Sequence, residues 1–300
     1  MGSKCRIVID GGPSGSAERA RKMVDRLERA WTRFDRNSEI SALNNNAGNF
    51  QLVSTDTYTL VDHAVAAQHA TRGRFNPLML QQLQAHGYST TWADGPSAPN
   101  QLGSTPATFE SIELLPEVMG VSIPASGAFD PGGIGKGLCA DLVTEFLIAS
   151  GATTSSVELG GDLRVHGTPW YGPEWRIGVA HPFDAEREIG AFTPSSGAVA
   201  TSSRLKKQWT AGDRRYHHLL DPRTGEPAVT DLVSVSCCAA TAWWAEVAAK
   251  VVLISGSVEA IELFDELGVH GIAVTEHGNV IKTGDDPALA DGRTYEGAVA

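Results

Sequence analysis

Apolar residues return at helical spacing from Ser16 onward: Ala20, Met23, Leu27, Ala30, Trp31 and Phe34 recur with Arg, Lys and Glu between them, which predicts an amphipathic helix. Ahead of it, CRIVID (residues 5–10) reads as an opening strand. A second helix follows from Leu60, Val61, Ala64, Val65 and Ala67, capped at Ser54 or Thr55 and ending near Gly73. The polar stretch between the two, SEISALNNNAGN, reads as a connection. Residues 92–108, WADGPSAPNQLGSTPAT, lack any period and predict a solvated loop between a small N-terminal helical lobe (1–91) and a main lobe (109–300).

The main lobe carries short strand patterns: SIELL, GVSI, SVEL, WRIGVA, AVATS, HLLD, LVSVSCCA, GIAVTE and NVIKT. Helical patterns lie near 136–150, 241–255 and 258–267, the first closed by Gly151 and the last by Gly268. Strands and helices interleave without a regular βαβ period. The expected class is α+β, a mixed sheet flanked by helices, and not a doubly wound sheet.

Composition narrows the function. The chain has 300 residues, 42% hydrophobic and 20% charged, the balance of a soluble globular protein of one large or about two ordinary domains. Its formal charge of −11 and lack of a basic run argue against nucleic acid as a partner. The most apolar stretch, Val247 to Ile254, contains Lys250 and falls far short of the roughly 20 residues that span a membrane. The N-terminal apolar run is too short for a signal peptide, so the expected location of the chain as written is the cytoplasm. Cys5, Cys139, Cys237 and Cys238 form no CxxC and read as reduced structural thiols.

The segment FDPGGIGKGLCADLVTEFL concentrates the chemistry. A glycine cluster opens directly into a predicted helix, offering bare N–H groups, the positive helix end and the Lys136 charge to an anion. It matches neither a Walker loop nor a GxGxxG fingerprint, since Gly137 follows the lysine and Leu138 stands where a third glycine belongs. A plain glycine turn with a solvated lysine is the competing reading. Each of SEISALN, GRFNP, VELGGDLRVHG and HHLLDPRTGEP is weak by itself, and His217 and His218 alternate across a strand pattern, so one at most faces a given site.

Taken in order, these segments resemble the motifs of the ApbE family, the FAD:protein FMN transferases. SEISALN is similar to that family's SELSxLN, GRFNP to GAFDP, GGIGKG to GGIAKG, VELGGDLR to NLGGDIR, AVATS to AVATSG, and HLLDPRTGEP to HILDPRTGxP. The resemblance covers nearly the whole chain and implies a single ApbE-like flavin-binding fold over 1–300. It also implies FAD as substrate, magnesium (Mg2+) beside its pyrophosphate, and transfer of FMN to a threonine hydroxyl of an acceptor protein, with AMP released.

Residue by residue, the resemblance puts Phe34 and Arg74, Phe75 and Asn76 near the flavin and adenine parts, and Asp130, Gly133 and Lys136 around ribose and phosphates. His218 and Leu220 would line the same cleft, with His218 as an acid/base or orienting group. Arg164 and Arg223 are further candidate phosphate cations. Gly133 and Glu246 fall at metal-ligand positions, while Lys250 stands four residues after Glu246, where the family has a threonine ligand. Lys250 would then replace the ion, with Glu246 and Lys250 sharing a helix face as the electrostatic centre. Two other outcomes are open at this level: an FAD pyrophosphatase, and an FAD-binding protein without catalysis.

Overall fold

A computed structural model describes residues 4–99 and 111–283. In chain order the elements are β1 (Cys5–Gly11), α1 (Ser16–Trp31), α2 (Glu39–Asn45), β2 (Gln51–Leu52), α3 (Thr55–Ala70), α4 (Leu80–Ala85), β3 (Glu113–Leu115), β4 (Gly120–Ser122) and α5 (Gly135–Ala149). Then follow β5 (Ala152–Leu159), β6 (Asp162–His166), β7 (Ile177–His181), β8 (Asp184–Phe192), β9 (Gly197–Ser203), β10 (Gln208–Ala211) and β11 (Arg214–His217). The last are β12 (Leu232–Ala239), α6 (Ala242–Ser255), α7 (Ala260–Glu266), β13 (His270–Thr275) and β14 (Val280–Lys282).

These elements form two compact units. The sheet unit takes the described parts of Ser3–Asp25, Gly133–Ser203 and Thr230–Ala300; the aromatic unit takes Arg26–Gly132 and Arg204–Val229.

The sheet unit is built on seven strands in the order β1-β5-β6-β9-β12-β13-β14, antiparallel at every pairing. The α+β class is therefore the one observed, and the pairings left open by a mixed sheet are all antiparallel among the described residues. β1 pairs with β5 from Cys5 against Leu159, so the first strand of the chain is an edge of the main sheet. Helices α5 and α6 pack on each other and on the sheet. Helix α6 is apolar nearly all round because it is buried nearly all round: Val247, Ala248, Val251 and Val252 are inaccessible. Gly151 and Gly268 hold positive φ after α5 and α7, as their capping pattern predicts.

The aromatic unit contains α2, α3, α4, the three-stranded sheet β2-β4-β3 and the β10-β11 hairpin. Three expectations need correction. SEISALNN is not a connection but helix α2: the Ser38 hydroxyl accepts the Ser41 N–H at 3.0 Å, and Ile40 and Leu43 are buried, two anchors that suffice for a two-turn helix. The helical spacing that includes Phe34 stops earlier, at Trp31. HLLD is not a strand; Leu220 makes an isolated bridge to Pro227, because Asp221 turns the chain through Gly225 N–H to its carbonyl at 2.8 Å. Of the predicted loop 92–108, Trp92–Asp94 form one 3-10 turn and residues 100–108 lie outside the described ones. No helix among the described residues is long and apolar enough to cross a membrane.

Candidate active site

The GGIGKG segment does open a helix. Gly133 takes φ +103°, Ile134 precedes the first turn without a side-chain cap, and α5 starts at Gly135. The Lys136 ammonium then bridges two carboxylates: Asp162 of β6, and Glu246 Oε1 of α6 at 2.5 Å. The other Glu246 oxygen accepts the Gly137 N–H at 2.8 Å, and Asp162 Oδ1 accepts the Thr201 N–H at 3.2 Å. Both carboxylates are buried, whereas the lysine side chain keeps 30% of its surface. Burial by itself would lower the lysine, but Asp162 and Glu246 reverse that and hold it above its ordinary value. Asp162 is raised, first by burial and then by the Glu246 charge, with Lys136 opposing.

A third carboxylate repeats the theme. Asp141 of α5 accepts the Ala242 and Trp243 N–H groups, each at 2.9 Å, at the start of α6, and Arg164 Nε approaches it to 3.1 Å. Each helix thus caps the other: Glu246 of α6 serves the first turn of α5, and Asp141 of α5 serves the first turn of α6. Burial pushes Asp141 up to about 6 against the pull of these donors and Arg164. Asp162 and Arg164 are two apart on β6 and share the face that meets the helices. Arg164, a candidate phosphate cation from sequence, is engaged by Asp141; Arg223 is exposed and pairs with Asp221 at 2.8 Å.

The glycines divide into two kinds. A Cβ on Gly137 would stand 2.3 Å from the Ala242 carbonyl oxygen and 2.6 Å from Trp243 Cα, so this glycine lets α5 and α6 approach. A Cβ on Gly133 would instead stand 2.8 Å from Lys250 Cδ and 2.9 Å from its Nζ. Lys250 thus reaches Gly133 from α6, four residues beyond Glu246. Glu246 is directed to Lys136 and Gly137.

These residues do not fit a divalent ion. Among the described residues no three His, Cys, Asp or Glu side chains converge as metal ligands. The position expected to offer a hydroxyl offers an ammonium, which has donors and no lone pair.

In the aromatic unit, Asp130 is buried against Arg33, whose Nε lies 3.2 Å from Oδ1. The Arg33 guanidinium stacks on Phe34 at 4.2 Å and Tyr88 at 4.6 Å, and donates to the Tyr88 carbonyl at 3.0 Å. Phe34 remains 39% exposed. His218 meets the Tyr88 ring edge-on, and its Nδ1 lies 3.3 Å from the Lys207 carbonyl. Phe75 and Leu220 are core residues, Leu220 within a cluster that includes Met79, Tyr88, Trp209 and Tyr216. Asn76 is buried too and accepts the Leu78 N–H at 2.9 Å, while Arg74 is half-buried. His217 bonds to the Ala228 carbonyl, and burial lowers it below the usual histidine value.

The proposed residues therefore fall into two sets, Gly133, Lys136, Glu246 and Lys250 in the sheet unit and Phe34, Arg74, Phe75, Asn76, Asp130, His218 and Leu220 in the aromatic unit. Arg33, Tyr88 and Asp141 carry no sequence signal, since the Arg33–Asp130 and Arg33–Tyr88 contacts and those of Asp141 with the α6 amides join positions dozens of residues apart. Asp162 had one, as the acid of VELGGDLR. The four cysteines form no disulfide among the described residues, and burial pushes Cys238 up to about 12, as suits a structural thiol.

The model of the ApbE family matches residues 1–273. The FAD:protein FMN transferase of Klebsiella pneumoniae (strain 342) is 29% identical over 245 residues, 79% of this chain and 74% of that protein. The FAD:protein FMN transferase of Treponema pallidum (strain Nichols) is 27% identical over 293 residues, 89% of this chain and 80% of that protein. Among solved structures, the ApbE protein of Thermotoga maritima aligns with a TM-score of 0.85 at 26% identity, covering 94% of each chain. With motif order, antiparallel core and whole-chain similarity in agreement, the chain belongs to the ApbE family.

Proposed function

We propose that this chain transfers FMN from FAD to a threonine hydroxyl of a partner protein. The observation that carries the reading is the Lys250 ammonium set against the bare backbone of Gly133 at the start of α5. A helix start with an ammonium beside it suits a diphosphate in a chain whose overall charge is −11. The relatives' shared name supports the same chemistry.

In this reaction the threonine oxygen attacks the FMN-side phosphorus, the bond to the bridging oxygen breaks, and AMP leaves. The threonine proton passes to a base or to solvent. The protein contributes position and charge neutralisation more than covalent chemistry. Lys250 faces the diphosphate, while Glu246 and Lys136 hold each other and the helix start in place. In the aromatic unit, Phe34 and Arg74 supply ring and edge contacts, Arg33 and Asp130 fix Phe34, and His218 orients. Phe75, Asn76 and Leu220 shape that surface from beneath. No step is routed through a divalent ion.

Incubation with FAD alone and with a flavin-acceptor domain tests this. The expected products are AMP and an acceptor heavier by one FMN, resolved by mass spectrometry. AMP with free FMN identifies a pyrophosphatase, and intact FAD in both arms a binding protein; either result overturns the proposal.

A further inference from the structure

We infer that the Lys250 ammonium is the resident cation of this site, and that the FAD diphosphate is held there without a divalent ion. The inference rests on the flavin-transfer reading for the identity of the ligand, but the cation assignment rests on the residues alone.

Three observations carry it. The first is the state of the carboxylates. A divalent ion needs anionic oxygens to spare, yet both acids at the helix start already serve Lys136, and the second oxygen of Glu246 serves the Gly137 N–H. No third acid, histidine or cysteine joins them among the described residues.

The second is position. Lys250 lies one helical turn beyond Glu246 and extends its Cδ, Cε and Nζ along Gly133, where a Cβ would fall within 2.8–3.4 Å of all three. The bare backbone of Gly133, at φ +103°, leaves room for that side chain. A larger residue would displace the ammonium, so the glycine and the lysine fit as a pair.

The third is charge. Lys136, Asp162 and Glu246 sum to −1, and the Lys250 ammonium adds a positive charge beside Gly133. In the FAD-free protein, a divalent ion added beside the ammonium would set two cations side by side in a mostly buried place, which costs solvation on both ions. The ammonium offers a diphosphate three hydrogen-bond donors instead of metal coordination.

The test uses the whole chain. FAD is titrated by calorimetry in magnesium and again in EDTA, and Mn2+ binding to the FAD-free protein is followed by the loss of the free-ion EPR signal. We expect the FAD affinity to agree within about twofold between buffers, and Lys250→Met to weaken it about tenfold or more in both, as for a lost charge-assisted contact. Lys250→Arg, which keeps the cation, should retain most of the affinity, separating charge from packing. Wild type should take up no Mn2+, and Glu246→Asp with Lys250→Thr should gain it.

Mn2+ uptake by the wild type, a tenfold loss of FAD affinity in EDTA, or unchanged affinity in Lys250→Met would each overturn the inference. A protein that binds no FAD in either buffer contradicts the diphosphate half of the inference and the functional reading with it. The Mn2+ arm still decides the cation assignment separately.

Discussion

Gly137→Ala is expected to destabilise the protein by about 3 kcal/mol or more, lowering the melting temperature by roughly 10 °C. Helix propensity argues the other way, since alanine in a helix interior gains about 1 kcal/mol over glycine. Geometry outweighs it. The new Cβ would stand 2.3 Å from the Ala242 oxygen, 2.5 Å from its carbonyl carbon and 2.6 Å from Trp243 Cα, all backbone atoms of a buried helix start. Those atoms cannot rotate aside as a side chain would, so α5 and α6 must separate, and the Gly137 N–H moves away from Glu246. Calorimetry decides: an unchanged or higher melting temperature would show that the helices do not meet here.

Lys136→Met should cost about 3–5 kcal/mol at neutral pH, because it leaves two buried carboxylates facing each other without their shared cation. The loss should depend on pH in a defined direction. Asp162 is already raised in the intact protein, and removing the ammonium raises it further. A carboxyl whose folded value exceeds its unfolded one binds more protons in the folded state, so stability falls as pH rises through that interval. The deficit of the variant should therefore shrink between about pH 8 and about pH 5 in denaturant titrations. Equal deficits at the two values would mean that the carboxylates are not left opposed.

Much of this architecture was legible where a single stretch of chain carries its own pattern. Helix α1 shows a polar–apolar period, α6 an apolar run interrupted by Glu246 and Lys250, and α5 a glycine start and a Gly151 stop. Helix α2 escaped because Asn44, Asn45 and Asn46 mask two apolar anchors, Ile40 and Leu43. The β10-β11 hairpin escaped because Arg214 and Arg215 interrupt any apolar alternation.

At the candidate site, residue identity was legible and allegiance was not. Lys136 stood out as a cation at a helix start, but its partner Glu246 is 110 residues away. GGIGKG signalled close backbone approach, yet no spacing distinguishes Gly137, which faces a neighbouring helix, from Gly133, which faces a lysine. Phe75 and Leu220 entered the candidate set through their motifs, and no periodicity there showed that both are buried.

The exchange of caps between α5 and α6 has a consequence for cooperativity. Neither helix can finish its own first turn: the acceptor for Gly137 is carried by α6, and the acceptors for Ala242 and Trp243 are carried by α5. Undocking one helix frays the other at once, so the pair should open as a unit, without an intermediate in which a single helix persists. In native-state hydrogen exchange these three amides should share one opening free energy and lose protection together when either Asp141 or Glu246 is replaced. Two helices more than a hundred residues apart in their carboxylates would then behave, on the timescale of local unfolding, as one continuous element.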